Sequence, residues 1–180
     1  MRRQALTAAE VAALVGLDEG RVRKEVEHGF LARTSPPRFS FADLVYFDAV
    51  AMLDVDLGVA DRKKLHKLIA SALAADRAPS RIEMGPVFEV RLDRVTKDAE
   101  GKLARFESWK TRLVSDQTIL GGEPVFPKSR LAVRQIGGML LRGARREDVL
   151  EDYPYLTEQD LEFAPIFTKA YPRMGRPRES

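Results

Sequence analysis

Apolar residues recur at helical spacing from the start of the chain. Val11, Leu14 and Val15 share one face of a predicted helix. Thr7 stands before them as an N-cap, and Glu10, three positions on, can reach back to the cap amide. Leu6 and Val11 are placed for a hydrophobic staple. Gly16 is a natural stop, because glycine accepts the left-handed conformation. A second helix is predicted to start at Asp18 and run from Glu19 to His28, with Gly29 ending it. Val22 and Val26, one turn apart, form its buried face, and Arg21, Arg23, Lys24 and Glu27 point elsewhere. Two short helices joined by a tight glycine-containing turn make a helix-turn-helix pattern.

The segment Phe30 to Phe39 has turn residues in its middle and reads as a β-hairpin wing carrying Arg33 and Arg38. Ser40 caps a third predicted helix through Leu57, with Leu44, Phe47, Val50 and Ala51 at helical spacing, and Gly58 breaks it. A fourth runs from about Ala60 to Ala75, with Leu65, Leu68, Ile69 and Leu73 inward and Arg62, Lys63, Lys64 and Lys67 on its outer face. Ala78-Pro79-Ser80-Arg81 marks a boundary.

Val87 to Leu92 reads as a strand. From about Asp93 the period becomes helical, with Ala99, Leu103, Phe106 and Leu113 on one face, Trp109 beside it as a core or interface anchor, and Gly101 against the assignment. A strand-turn-strand reading of the same stretch, turning at Asp98-Ala99-Glu100-Gly101, stays open. Farther on, Gly121-Gly122 marks a turn. Pro124-Val125-Phe126 and Ser129 to Val133 form two short extended pieces. A helix with Ile136, Met139 and Leu140 inward closes at Gly143, and a second holds Val149 and Leu150. After a corner at Tyr153-Pro154-Tyr155-Leu156, Thr157 caps a third helix with Leu161, Phe163, Ala164 and Phe167 inward. Pro165 within it predicts a kink or a shorter helix.

The pattern therefore gives a mainly α fold with minor β structure: a winged helix-turn-helix over 1–77, a strand-helix connecting and dimerisation segment over 78–113, a three-helix unit over 114–172 and a basic tail over 173–180. At 180 residues, 44% hydrophobic and 32% charged, the chain has enough length and apolar content for a core. No apolar run is long enough for a transmembrane helix, and no signal peptide is expected. Cysteine is absent, which excludes disulfides and thiolate metal sites and fits a cytoplasmic location. The net charge of +3 is evenly spread: Lys and Arg against Asp and Glu number 11 to 10 over residues 1–70, 9 to 8 over 71–120 and 10 to 9 over 121–180. Bulk charge thus does not announce nucleic-acid binding, which has to come from local clustering. His28 and His66 lie far apart in sequence, no Gly-rich phosphate loop is present, and the acidic residues are scattered. No enzyme, metal or cofactor is expected.

Two stretches resemble known families. The order helix, turn, helix, wing, helix, helix, with Leu6-Thr7-Ala8-Ala9-Glu10-Val11-Ala12, Val22-Arg23-Lys24 and Phe39-Ser40-Phe41-Ala42-Asp43-Leu44, resembles the DNA-binding domain of MerR-type regulators and phage excisionases. Gly121-Gly122-Glu123-Pro124-Val125, Arg130-Leu131-Ala132-Val133, Gly143 and Asp152-Tyr153-Pro154-Tyr155-Leu156-Thr157 resemble a small bacterial domain long catalogued as of unknown function and associated with VapB-type antitoxins. Lys128-Ser129 and Ala132 depart from that family's usual Gly-Thr and Pro.

The second resemblance implies a helix-turn-helix-like three-helix domain and, as partner, a PIN-like ribonuclease toxin whose clustered carboxylates hold a metal ion. Arg173, Arg176 and Arg178 of the tail are the candidates for reaching those carboxylates. Arg21, Arg23 and Lys24 are the candidates for the DNA major groove, and Arg33 and Arg38 for its backbone. The expectation is an antitoxin that binds its own operator DNA as a homodimer and neutralises the toxin. The alternative is a stand-alone MerR-like regulator whose C-terminal domain serves dimerisation or ligand sensing.

Overall fold

The computed structural model describes residues 5–31, 34–53, 56–86 and 88–172. Among them the chain is mainly helical, with eight helices and one two-stranded sheet. It divides into two compact units between Ala104 and Arg105.

In the first unit, α1 (Ala8–Val15) starts as its sequence predicts. The Glu10 amide donates to the Thr7 hydroxyl, Glu10 accepts from the Thr7 amide, and Gly16 closes the helix at φ 74°. The Leu17 amide then donates to the Ala12 carbonyl at 3.0 Å, and Asp18 caps α2 (Glu19–Glu27). α3 (Phe41–Met52) follows a second capping box, made by Ser40 and Asp43. It ends five residues short of the expected Leu57: Leu53 is extended, and Met52 is already 53% exposed. α4 spans Val59–Ala74 and buries Leu65 and Ile69. β1 (Ile82–Glu83) pairs antiparallel with β2 (Glu89–Val90), in register Ile82 to Val90.

α3 is enclosed on nearly every side. Phe41 and every residue from Asp43 to Val50 are buried, so the helix has no solvated face. Three polar side chains go inside with it. The Asp43 Oδ2 accepts from the Ser40 amide and hydroxyl, and its Oδ1 meets His66 Nε2 of α4 at 2.7 Å. Asp48 meets Lys102 Nζ at 2.7 Å. Tyr46 is fully enclosed.

α5 (Leu92–Lys110) is one helix, which removes the strand-turn-strand alternative. Leu92, Val95 and Ala99 are buried in the first unit, and Phe106 and Trp109 in the second. In the second unit three short extended pieces meet: Val125 bridges both Val114 and Ala132. Then come α6 (Val133–Leu141), α7 (Arg146–Asp152) and α8 (Glu158–Ala170). α8 is not shortened by Pro165. Its start repeats the device of α3. Asp160 Oδ2 accepts from the Thr157 amide and hydroxyl, and Oδ1 accepts from Trp109 Nε1 at 2.8 Å and Arg112 Nη2 at 3.2 Å. Trp109 is 1% exposed, and Phe106, Phe126, Phe163 and Phe167 surround it.

α6 and α8 are the most extensively packed pair of elements, and Gly137 makes that packing possible. A Cβ there would overlap the Ala164 carbonyl and the Thr168 hydroxyl. Gly137→Ala should therefore push α6 off α8 and destabilise the second unit by about 1–3 kcal/mol, against a small gain in helix propensity. Urea denaturation followed by Trp109 fluorescence reads this, and an unchanged midpoint would refute the close packing.

Asp43 gives a pH test. Burial raises its pKa, but the hydrogen bonds from His66 and from the Ser40 hydroxyl and amide outweigh that and hold it below the ordinary 3.8. A depressed folded pKa adds stability above the unfolded value and loses it as pH falls through the folded one. Asp43→Asn, which keeps a capping side chain, should flatten the fall in melting temperature below about pH 4. Parallel curves for the variant and the unaltered protein would show that Asp43 is not a source of acid sensitivity.

Candidate nucleic-acid interface

Three cationic candidates of the first unit, Arg21, Arg23 and Lys24, lie on α2. Its first turn is tight: the Gly20 amide donates to Asp18 Oδ1 at 2.7 Å, and a Cβ on Gly20 would lie 2.8 Å from that oxygen. Glycine here lets the cap close. Beyond it, Arg21, Arg23 and Lys24 are all exposed. Arg21 lies 4.0 Å from the exposed Asp56. Arg23 is held by Glu19 through Nε at 2.8 Å and Nη2 at 2.5 Å, along the helix surface. An exposed pair of this kind is worth only a few tenths of a kcal/mol, about 0.3–0.5, so it orients the guanidinium more than it sequesters it.

The opposite face of α2 carries an unforeseen ion pair. Glu25 is buried, and its Oε1 lies 2.9 Å from Arg62 Nε of α4. Arg62 Nη1 donates to the Leu57 carbonyl at 2.9 Å. Spacing predicts Arg62 on the outer face with the lysines; in the structure it turns inward to meet Glu25, while Lys63, Lys64 and Lys67 are exposed. The signal was present. Glu25 follows Val22 by three positions and precedes Val26, so it lies on the apolar stripe. A carboxylate there has to be matched by a cation from whatever packs on it. Glu25 Oε2 and Tyr46 Oη have no hydrogen-bond partner among the described residues, and burial, then the Glu25 charge, push the Tyr46 hydroxyl well above its ordinary range.

Among the described residues of Phe30 to Phe39, none pairs with another in a ladder. Instead Phe39 and Leu6 exchange both backbone hydrogen bonds, at 2.9 and 2.8 Å. Pro36 and Pro37 supply no amide donors for a hairpin, and the wholly buried Phe39 ties the segment to the start of α1. Arg38 is exposed, with its amide donating to the Thr34 hydroxyl at 3.0 Å. Arg33 lies outside the described residues, as do Arg173, Arg176 and Arg178. What precedes that tail is anchored: the Tyr171 carbonyl accepts from Arg134 Nε at 2.9 Å and Nη2 at 2.7 Å, and its hydroxyl lies 2.7 Å from Lys110 Nζ.

No group of His, Asp and Glu among the described residues is arranged to hold a metal ion. No helix among them is long and apolar enough to cross a membrane.

The Glu25–Arg62 pair fixes the inward face of α2, and with it what the helix presents outward. Glu25→Met would leave Arg62 half-buried without its carboxylate, and Arg62→Met would leave Glu25 buried without its cation; each should cost about 3–5 kcal/mol, and combining the two should recover most of the loss. Chemical denaturation of the two single variants and the double variant measures the coupling, and additive losses would contradict a specific pair.

Residues 113–168, from just after α5 through most of α8, match the model of a family described as "Protein of unknown function (DUF433)". No curated protein and no solved structure matches the chain.

Proposed function

We propose that the protein is an antitoxin that binds its own operator DNA through α2 and neutralises a PIN-like ribonuclease toxin through its C-terminal part. The observation that carries the DNA half of this reading is the α1–α2 pair. Two short helices meet at a left-handed glycine, and the second is clamped from below by Glu25–Arg62 while Arg21, Arg23 and Lys24 stand on its exposed side. A helix held this way can enter a major groove with its N-terminal residues leading. Arg38 is exposed beside the same unit for a backbone contact. The helix-turn-helix reading of this unit, its kinship to MerR-type regulators and the homodimer belong to the same proposal.

The toxin half rests on the resemblance of the Gly121-to-Thr157 motifs to antitoxin-associated domains. The matched family's own description assigns no function. Arg173, Arg176 and Arg178 supply the guanidinium groups that a carboxylate-rich nuclease site would bind bidentately.

Arg23→Ala with Lys24→Ala tests the DNA half. Affinity for the operator fragment should fall strongly, and the slope of log K against log salt should flatten by about one for each lost phosphate contact. Fluorescence anisotropy over a salt series measures both. Unchanged affinity and slope would sink the assignment to α2. Co-purification from the native host tests the other half: a stoichiometric small ribonuclease supports the antitoxin, and recovery of the protein with operator DNA alone supports a plain regulator.

A further inference from the structure

We propose that the second unit holds a binding site for a small aromatic monocarboxylate, in the cleft walled by Leu113, Pro124, Phe167 and Tyr171 and flanked by Lys110 and Arg134. The cleft measures about 370 Å³, at the lower end of the range for small-molecule sites, and it has their usual composition: apolar walls with a few convergent polar groups. The Phe167 and Tyr171 rings stand 4.9 Å apart at 52°, which offers a planar ligand both an edge and a face.

The charge of the walls selects the ligand's sign. Lys110 and Arg134 both line the cleft, with side chains only 19% and 18% exposed. Their carboxylate partners, Glu107 and Glu123, are not among the described lining residues. Among the described residues, each cation keeps donors in reserve. Lys110 Nζ spends two of its three protons, on Glu107 at 2.9 Å and on the Tyr171 hydroxyl at 2.7 Å. Arg134 spends three of its five, two on the Tyr171 carbonyl and one on Glu123. Ser115 adds a hydroxyl at the wall. One carboxylate can accept from these groups, while the apolar walls favour a ring over a bare inorganic anion. None of these residues belongs to α2, so the site stands apart from the DNA reading.

The test uses the full-length protein and 3-phenylpropanoate, with its neutral amide as the control. Trp109 is the only tryptophan of the chain, and its ring lies 6.0 Å from that of Phe167, so its emission reports on the cleft. The acid should give a saturable change at sub-millimolar concentration, and the amide should bind about tenfold more weakly or worse, the loss of a charge-assisted hydrogen bond. Lys110→Gln should weaken the acid by about tenfold. Ser115→Asp, at an exposed position that leaves the core untouched, should abolish binding of the acid by placing a like charge at the wall. No saturable change at millimolar acid, equal binding of acid and amide, or undiminished binding by Ser115→Asp would each overturn the proposal.

Discussion

A carboxylate taken out of water has to be met by hydrogen-bond donors or a cation, and in the first unit this requirement organises the core. α3 has no solvated face, yet it carries Asp43 and Asp48 inside. Each is answered by a different helix, His66 of α4 for Asp43 and Lys102 of α5 for Asp48. Apolar packing around α3 is non-directional, whereas the polar matches specify which residue lies opposite which. Glu25 and Arg62 extend the same logic to α2. The second unit uses it once more, where Asp160 joins the start of α8 to Trp109 and Arg112.

Much of this was legible in the sequence because it rests on local rules. The capping residues Thr7, Asp18, Ser40 and Thr157, the stop at Gly16 and the apolar stripes of α4, α6 and α8 follow from spacing and the chemistry of helix ends. The elements misjudged were those decided by distant parts of the chain. Phe39 pairs with Leu6, more than thirty positions away, and the described residues of Phe30 to Phe39 form no ladder among themselves despite plausible turn residues. Arg62 looked like one of four outward cations, and only the buried Glu25 of another helix turns it inward. The partner strand Ile82–Glu83 was missed because two residues carry no measurable alternation.

The candidate site divides in the same way. Arg21, Arg23, Lys24 and Arg38 are exposed in the first unit, as outward positions on a helix and a loop would be. What sequence reasoning did not supply is the support beneath them, which is a tertiary property. Arg23 is also less free than a bare basic residue, since Glu19 holds it along the helix. An acidic residue in that position lowers indiscriminate attraction to phosphate while keeping the guanidinium aligned.

The capping carboxylates of α3 and α8 each serve two masters. In both, one oxygen closes the helix start and the other reaches a residue far along the chain, His66 for Asp43 and Trp109 for Asp160. Helix ends ordinarily fray on their own, opening a turn at little cost. Here the first turn cannot open without giving up a tertiary contact as well. Fraying at these two ends is thereby coupled to disruption of the core.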